Sequence, residues 1–239
     1  MTRAATAYHG AMGDEFAASA PDSPYNAHTD RRAMLEMAGE VGGRRILDLG
    51  CGPGLYAEAL LERGAALVVG AEGSETLLGH ARQRLGDRVG RSAELHLHDL
   101  EEPLAFARDG SFDLVVMALT YHHIVNRVGL LGEVRRVLRP GGTLLLSTTH
   151  PVADWKWTGG DSYFADRRVS VPFGKDKQFT HTYQQMTLER LLGELLGAGF
   201  VLEELREPQA AEEARELDPR RYANTHTYPF FLALRLRRP

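Results

Sequence analysis

The chain has 239 residues, 43% of them hydrophobic and 25% charged, enough to bury one substantial core. Its formal net charge of -4 lacks the basic excess that draws proteins onto phosphate backbones, which disfavours a nucleic-acid substrate. No stretch approaches the roughly 20 apolar residues that cross a bilayer, Met1 to Tyr8 lack the order of a secretory signal, and the single cysteine, Cys51, cannot form an intrachain disulfide. A cytoplasmic protein with no nucleic-acid or membrane partner is expected, as a monomer or homodimer.

In chain order, short apolar runs alternate with helical patterns, the mark of a parallel sheet covered on both faces. Arg45 to Leu49 reads as the first strand. Leu55 to Arg63 carries Leu55, Ala59 and Leu60 at helical spacing and ends at Gly64, a residue suited to a left-handed C-cap. Ala66 to Ala71 is a second strand, Glu75 to Leu85 a second helix, Glu94 to His98 a third strand and Phe112 to Ala118 a fourth. Leu131, Val134 and Leu138 mark a helix that Arg139-Pro140-Gly141-Gly142 stops before the strand Thr143 to Thr148.

From Pro151 to Thr182 the periodicity disappears, and Trp155, Trp157, Tyr163, Phe164, Phe173 and Phe179 gather among turn residues. Loops of this length are functional or disordered; the aromatic content argues for a folded cap, since such side chains offset ordering entropy by burial. Thr187 to Gly199 returns to helix with a leucine stripe. Phe200 to Leu205 and Tyr228 to Leu236 complete the sheet as an antiparallel edge pair, and the charged cluster Glu203 to Arg221 reads as solvated helix or loop.

Chemistry enters at Ile46-Leu47-Asp48-Leu49-Gly50-Cys51-Gly52-Pro53-Gly54, three glycines at alternate positions between a strand and a helix. Such a turn lets backbone N–H groups approach a ligand, and the helix N-terminus adds partial positive charge. Asp48 either orients the loop or meets the ammonium of an amino-acid-bearing ligand. Nicotinamide-binding domains also use a glycine-rich first turn, but their G-x-G-x-x-G fingerprint is matched imperfectly, because Leu55 follows Gly52 by three. No tyrosine has a lysine four residues on, as the short-chain reductase pair requires.

Glu72 ends the second strand within Val69-Gly70-Ala71-Glu72-Gly73-Ser74, near the spacing expected for a ribose-binding acid. His98-Asp99-Leu100, ending the third strand, offers an acceptor for an adenine amino group beside a backbone N–H. Three acids, Asp48, Glu72 and Asp99, thus converge on the crevice where open α/β sheets bind ligands.

These residues resemble class I S-adenosylmethionine-dependent methyltransferases, in particular the bacterial small-molecule, type 11-like group that includes quinone-biosynthesis enzymes. ILDLGCGPG resembles the family's first motif, GAEGS its ribose motif, HDL its adenine motif, and SFDLVVMALTYHHI with EVRRVLRPGGTLLLS its fourth-strand motif and the segment after it. Weaker likeness extends to SPYNAHTDRRAML, THP, HTY, LLGAGF, REPQ and PFFLALR. The resemblance implies a doubly wound, Rossmann-like, seven-stranded, mostly parallel sheet with an antiparallel edge strand and an aromatic substrate cap. It divides the chain into N-terminal lid helices (1–40), a cofactor-binding core (41–150), a substrate-binding cap insertion (151–186), and a C-terminal helix with edge strands (187–239). The implied cofactor is S-adenosyl-L-methionine, contacted by Tyr25, Asp48, Gly50, Cys51, Gly52, Gly54, Glu72, Gly73, Ser74, Asp99, Leu100, Met117 and His122. The chain departs from the family in having Glu72 where aspartate is commoner and Tyr121 where leucine is usual before the His pair.

Methyl transfer from a sulfonium is an in-line displacement, so alignment and exclusion of water are the main tasks. A positioned base helps a phenol, amine or activated carbon, and histidine suits neutral pH. The catalytic candidates are His122, which should face the methyl group, His181 beside the cap, and Tyr121, a phenol where the acceptor is expected. His123 and His150 are alternatives with structural roles open to them, Tyr25 and Asn26 belong to the lid, and Trp155 and Trp157 either pack or stack on substrate. The histidines lack metal-ligand spacing, so no metal is expected. The expected activity is methylation of O, N or C on a small-molecule acceptor; a non-catalytic cofactor binder and a nicotinamide oxidoreductase are the alternatives.

Overall fold

In the computed structural model, which describes residues 8–174 and 176–239, Ile46 and Leu47 face opposite sides of one strand and are both fully buried, so that strand needs cover on each side. The cover comes from the order of elements. Helix α1 (Ala11–Ser19), a π-helical turn (Asn26–Arg31) and α2 (Arg32–Ala38) lead into β1 (Arg45–Leu49), α3 (Leu55–Glu62), β2 (Leu67–Glu72), α4 (Glu75–Leu85), β3 (Ala93–Leu97) and β4 (Phe112–Ala118). A short 3-10 turn (Tyr121–His123), α5 (Arg127–Val137), β5 (Leu138–Thr149) and α6 (Pro151–Thr158) follow. Then come β6 (Arg167–Phe173), β7 (Phe179–Gln185), α7 (Leu188–Gly197), β8 (Val201–Arg206), α8 (Ala214–Leu217), α9 (Pro219–Thr227) and β9 (Phe231–Arg237).

The main sheet has seven strands in the order β3-β2-β1-β4-β5-β9-β8. It is parallel except for β9, which runs antiparallel to β5 and β8. One face packs Leu47, Val69, Val115, Leu144 and Leu146 against α5 and α7 through Leu131, Val134, Leu191 and Leu195. The other packs Ile46, Val68, Leu114, Val116 and Leu145 against Met34, Met37, Ala57 and Leu60 of α2 and α3. The helices begin where short polar side chains satisfy an orphan N–H: Ser74 accepts from Leu77, Asn126 from Gly129, and Thr187 from Arg190.

The expected loop from Pro151 to Thr182 needs correction. It folds as α6, opened by Pro151 at its first turn, and an antiparallel hairpin of β6 and β7 that pairs Val169 with Tyr183 and Val171 with His181. The hairpin hides its period because its half-buried face on β7 is made by His181, Tyr183 and Gln185 instead of aliphatic residues. The charged cluster from Glu203 is divided among β8, α8 and α9. Met1 to Ala7 of the expected lid, and Lys175 of the cap, lie outside the described residues. Among the described residues no helix is long and apolar enough to cross a membrane.

Candidate functional site

The order of strands reverses between β1 and β4, and open α/β sheets bind ligands beyond the carboxyl ends of the strands at such a switch point. A cavity of about 520 Å³ opens there, lined by residues that follow β1, β2, β3 and β4 in turn. Its size lies within the roughly 300–1,000 Å³ typical of small-molecule and cofactor sites.

At one end of the cavity the chain builds a cradle from backbone. Gly50 and Gly52 have φ values of 73° and 54°, where side chains are strained. A Cβ on Gly50 would fall 2.3 Å from the Thr120 hydroxyl, and one on Gly52 would face Phe16 across the cavity wall. Glu72 fixes the loop from below: its carboxylate accepts from the backbone N–H of Gly52 at 2.9 Å and of Ser74 at 2.8 Å. Burial raises the pKa of Glu72, and the backbone N–H groups of Ser74, Gly52 and Gly73 oppose that rise. Asp48 is fully enclosed, and one of its oxygens has no hydrogen-bond partner. Burial, with the nearby Glu72 charge, pushes its carboxyl up to about 7. The glycine cradle, the buried acids beneath it and the Asp99 carboxylate on the rim fit an adenosyl group bearing an ammonium and a sulfonium, since positive charge and hydroxyl donors are what this end lacks.

Of the expected contacts, Tyr25, Gly50, Gly52, Glu72, Gly73, Asp99, Leu100 and His122 line this cavity, as does His181. Others stand behind it. Asp48 lies beneath the loop; Cys51 is buried with its sulfur against Gly70; Gly54 is a left-handed N-cap residue backed by Ala81. Ser74 caps α4 and donates to the Tyr8 carbonyl, and Met117 is fully buried while its neighbour Ala118 reaches the wall. Asn26 lines the cavity as well. Trp155 and Trp157 are away from it, at the surface: the Trp155 indole donates to the Gly160 carbonyl and Trp157 packs on Phe230. His150 accepts from the Val152 N–H and lies 3.1 Å from Glu207.

Tyr121 is a correction. Its ring is fully buried in the core, and its hydroxyl donates to Glu194 at 2.6 Å. Glu194 also accepts from Arg127 at 2.7 Å and 2.8 Å and from Arg190. Burial alone would raise its pKa, but these donors hold it at about 2. A 3-10 turn places successive side chains about a third of a turn apart, so Tyr121 points into the core while His122 and His123 face the cavity. Tyr121→Phe is expected to cost about 1 kcal/mol of stability in urea unfolding and to leave the methyl-transfer rate within twofold; a large loss of rate would return Tyr121 to the site.

The other end of the cavity is aromatic and imidazole-rich, and several of its residues carry no local sequence signal. Tyr8 stands edge-on to Phe16 at 5.1 Å and to Phe173 at 5.8 Å between ring centroids, with its hydroxyl 3.0 Å from His181 Nδ1. His122 Nδ1 lies 3.0 Å from the Thr148 hydroxyl. His123 Nδ1 lies 3.4 Å from the Thr182 carbonyl; a carbonyl only accepts, so in the neutral ring the proton sits on Nδ1 and the lone pair on Nε2. The rings of His122 and His123 are 4.3 Å apart, and those of His123 and His181 5.9 Å. Burial, then mutual repulsion, keeps His122 well below its usual range and His123 at about 4, and burial lowers His181. All three are neutral near pH 7. Among the described residues no group of three or more His, Cys, Asp or Glu is placed to hold a metal ion.

Comparison with known proteins agrees with this geometry. The methyltransferase domain family matches residues 47–146. An uncharacterized protein of Haemophilus influenzae is 31% identical over 204 residues, 79% of each chain. The cypemycin N-terminal methyltransferase of a Streptomyces species is 34% identical over 146 residues, 59% of this chain and 55% of that one. A ubiquinone biosynthesis O-methyltransferase of Dechloromonas aromatica is 35% identical over 114 residues, 48% of each. The chain therefore spans about half the length of these two named methyltransferases. The crystal structure of an S-adenosylmethionine-dependent methyltransferase from Mesorhizobium loti superposes with a TM-score of 0.72 at 28% identity, over 87% of this chain and 96% of that one. With the glycine cradle and its acids at the switch point of the sheet, the chain belongs to the class I S-adenosylmethionine-dependent methyltransferases and takes S-adenosylmethionine as its cofactor.

Proposed function

We propose that the enzyme methylates a small, flat acceptor held at the aromatic end of the cavity. The observation that carries this reading is the continuity of one cavity with two chemically different ends, a glycine cradle and a wall of aromatic and imidazole rings. In this reading the N-terminal region acts as a lid and the segment 151–186 as a substrate cap. Supporting contacts tie the first to the core and the second to the first: Gly10 N–H donates to Thr76, Asp14 meets His80 at 2.7 Å, and Gln178 donates to Glu15.

Bound S-adenosylmethionine supplies an electrophilic methyl group on a sulfonium. The residues of this chain then have three tasks. Glu72 and the glycine loop hold the nucleoside, with Asp99 and Leu100 at the adenine rim. Tyr8, Phe16 and Phe173 orient a planar acceptor and exclude water. The histidines, with His122 and His123 nearest each other and His181 held by Tyr8, take the proton that the methylated atom gives up, because they are neutral at the working pH.

Incubation of the enzyme with a cell extract and methyl-labelled S-adenosylmethionine is expected to place label in the small-molecule fraction. Label confined to protein or nucleic acid would remove the small-molecule reading.

A further inference from the structure

The two ends of the cavity differ in charge as well as in shape. Its carboxylates lie at the ends of β2 and β3: Glu72 is the last residue of β2, and Asp99 and Glu101 follow β3. Glu101 is occupied there, accepting from the Val125 and Asn126 N–H groups. The wall contributed by the hairpin has none. It carries Arg168 instead, the one Arg or Lys lining the cavity among the described residues.

Arg168 is not held by other protein charges. It is exposed, on the same strand as the buried Val169, and forms no ion pair with a carboxylate among the described residues. Its guanidinium reaches across β7 to the Thr182 carbonyl at 3.5 Å, the same carbonyl that receives His123 Nδ1. Arg168 and His123 therefore converge on one carbonyl of the wall, and the positive charge of Arg168 acts on His123. Other arginines of the cap and C-terminal region sit beside an acid, as Arg190 does with Asp166 and Arg206 with Glu36; Arg168 lines the cavity without one.

We propose that the acceptor carries an anionic group, such as a carboxylate, which Arg168 binds at the cavity mouth while the atom to be methylated lies among the histidines. The inference rests on the small-molecule reading and narrows it. A planar fork of N–H donors suits a carboxylate in two-pronged contact. A cationic acceptor would be repelled by both Arg168 and the sulfonium. An anion also offsets the positive charge that the cofactor brings into a space of low dielectric.

Benzoate and benzamide test the idea, being planar and nearly equal in shape but different in charge. With the enzyme saturated by S-adenosylhomocysteine, calorimetry is expected to give benzoate about tenfold tighter binding than benzamide. Arg168→Gln should abolish that preference and Arg168→Lys should keep part of it, both with unchanged affinity for S-adenosylhomocysteine. Equal binding of the two probes, binding of neither, or a preference that survives Arg168→Gln overturns the proposal. None of these results touches the small-molecule reading, which stands or falls on where the methyl label goes.

Discussion

Glu72→Ala is expected to weaken S-adenosylhomocysteine binding by about 100-fold or more, read by calorimetry. Two losses combine. The N–H groups of Gly52 and Ser74 lose the carboxylate that both donate to, and an unsatisfied buried donor costs about 1–3 kcal/mol. The ribose hydroxyls lose a charged acceptor, worth about 1.5–3 kcal/mol per bond. Glu72→Asp keeps the charge but is one methylene shorter and cannot span both N–H groups, so an intermediate loss of about tenfold is expected. Far-ultraviolet circular dichroism controls for folding. Affinity within threefold of the wild type in a folded Glu72→Ala protein would mean that the ribose is held elsewhere.

The sheet and the glycine cradle are legible in the sequence because their determinants are local. Ile46 and Leu47 mark a strand buried on both faces without knowledge of any partner, and Gly50 and Gly52 declare a turn that only glycine makes easily. Glu72 and Asp99 are readable for the same reason: Glu72 follows an apolar run directly and Asp99 follows the alternating Leu95 and Leu97, so the place of each at a strand end is set by its own neighbours. The aromatic end of the cavity depends on contacts between residues far apart. Tyr8 and Phe16 become cavity walls only when α1 lies over Thr76 and His80, a contact spanning 66 residues. His181 and Arg168 depend on the hairpin, whose strand pattern is concealed by polar residues on its inner face.

Tyr121 fails for a different reason. Its distance along the chain from His122 is minimal, yet the 3-10 turn separates them in direction, and the partner that draws the phenol inward is Glu194, 73 residues away. Asp48 is an intermediate case. Its role near the loop could be read from the motif, but its enclosure beneath the cavity, with an oxygen unpartnered, is a consequence of how β1 sits between β2 and β4.

The histidine cluster gives the second large effect. Replacing His122 and His123 together by Phe is expected to lower the methyl-transfer rate constant by about 10²–10⁴, the usual contribution of a general base, with S-adenosylhomocysteine affinity little changed. In the wild type the acid limb of the rate profile should fall below pH 6.5, because burial and mutual repulsion hold these rings neutral and His123 protonates only at about 4. His181→Phe removes one source of that repulsion, so the limb should move to higher pH. Stability obeys the same linkage: the unfolded chain takes up protons below 6.5 that the folded rings refuse, so the histidine contribution is intact above 6.5 and is lost as pH falls towards 4. Asp48 and Asp154, raised to about 7 and about 6 chiefly by burial, act in the opposite sense, since their contribution is present below 3.8 and is lost as pH rises through those values. Melting temperature would mix the two series, whereas the rate isolates the imidazoles. An acid limb at the ordinary histidine value, unmoved by His181→Phe, would show that the cluster carries no proton in the reaction.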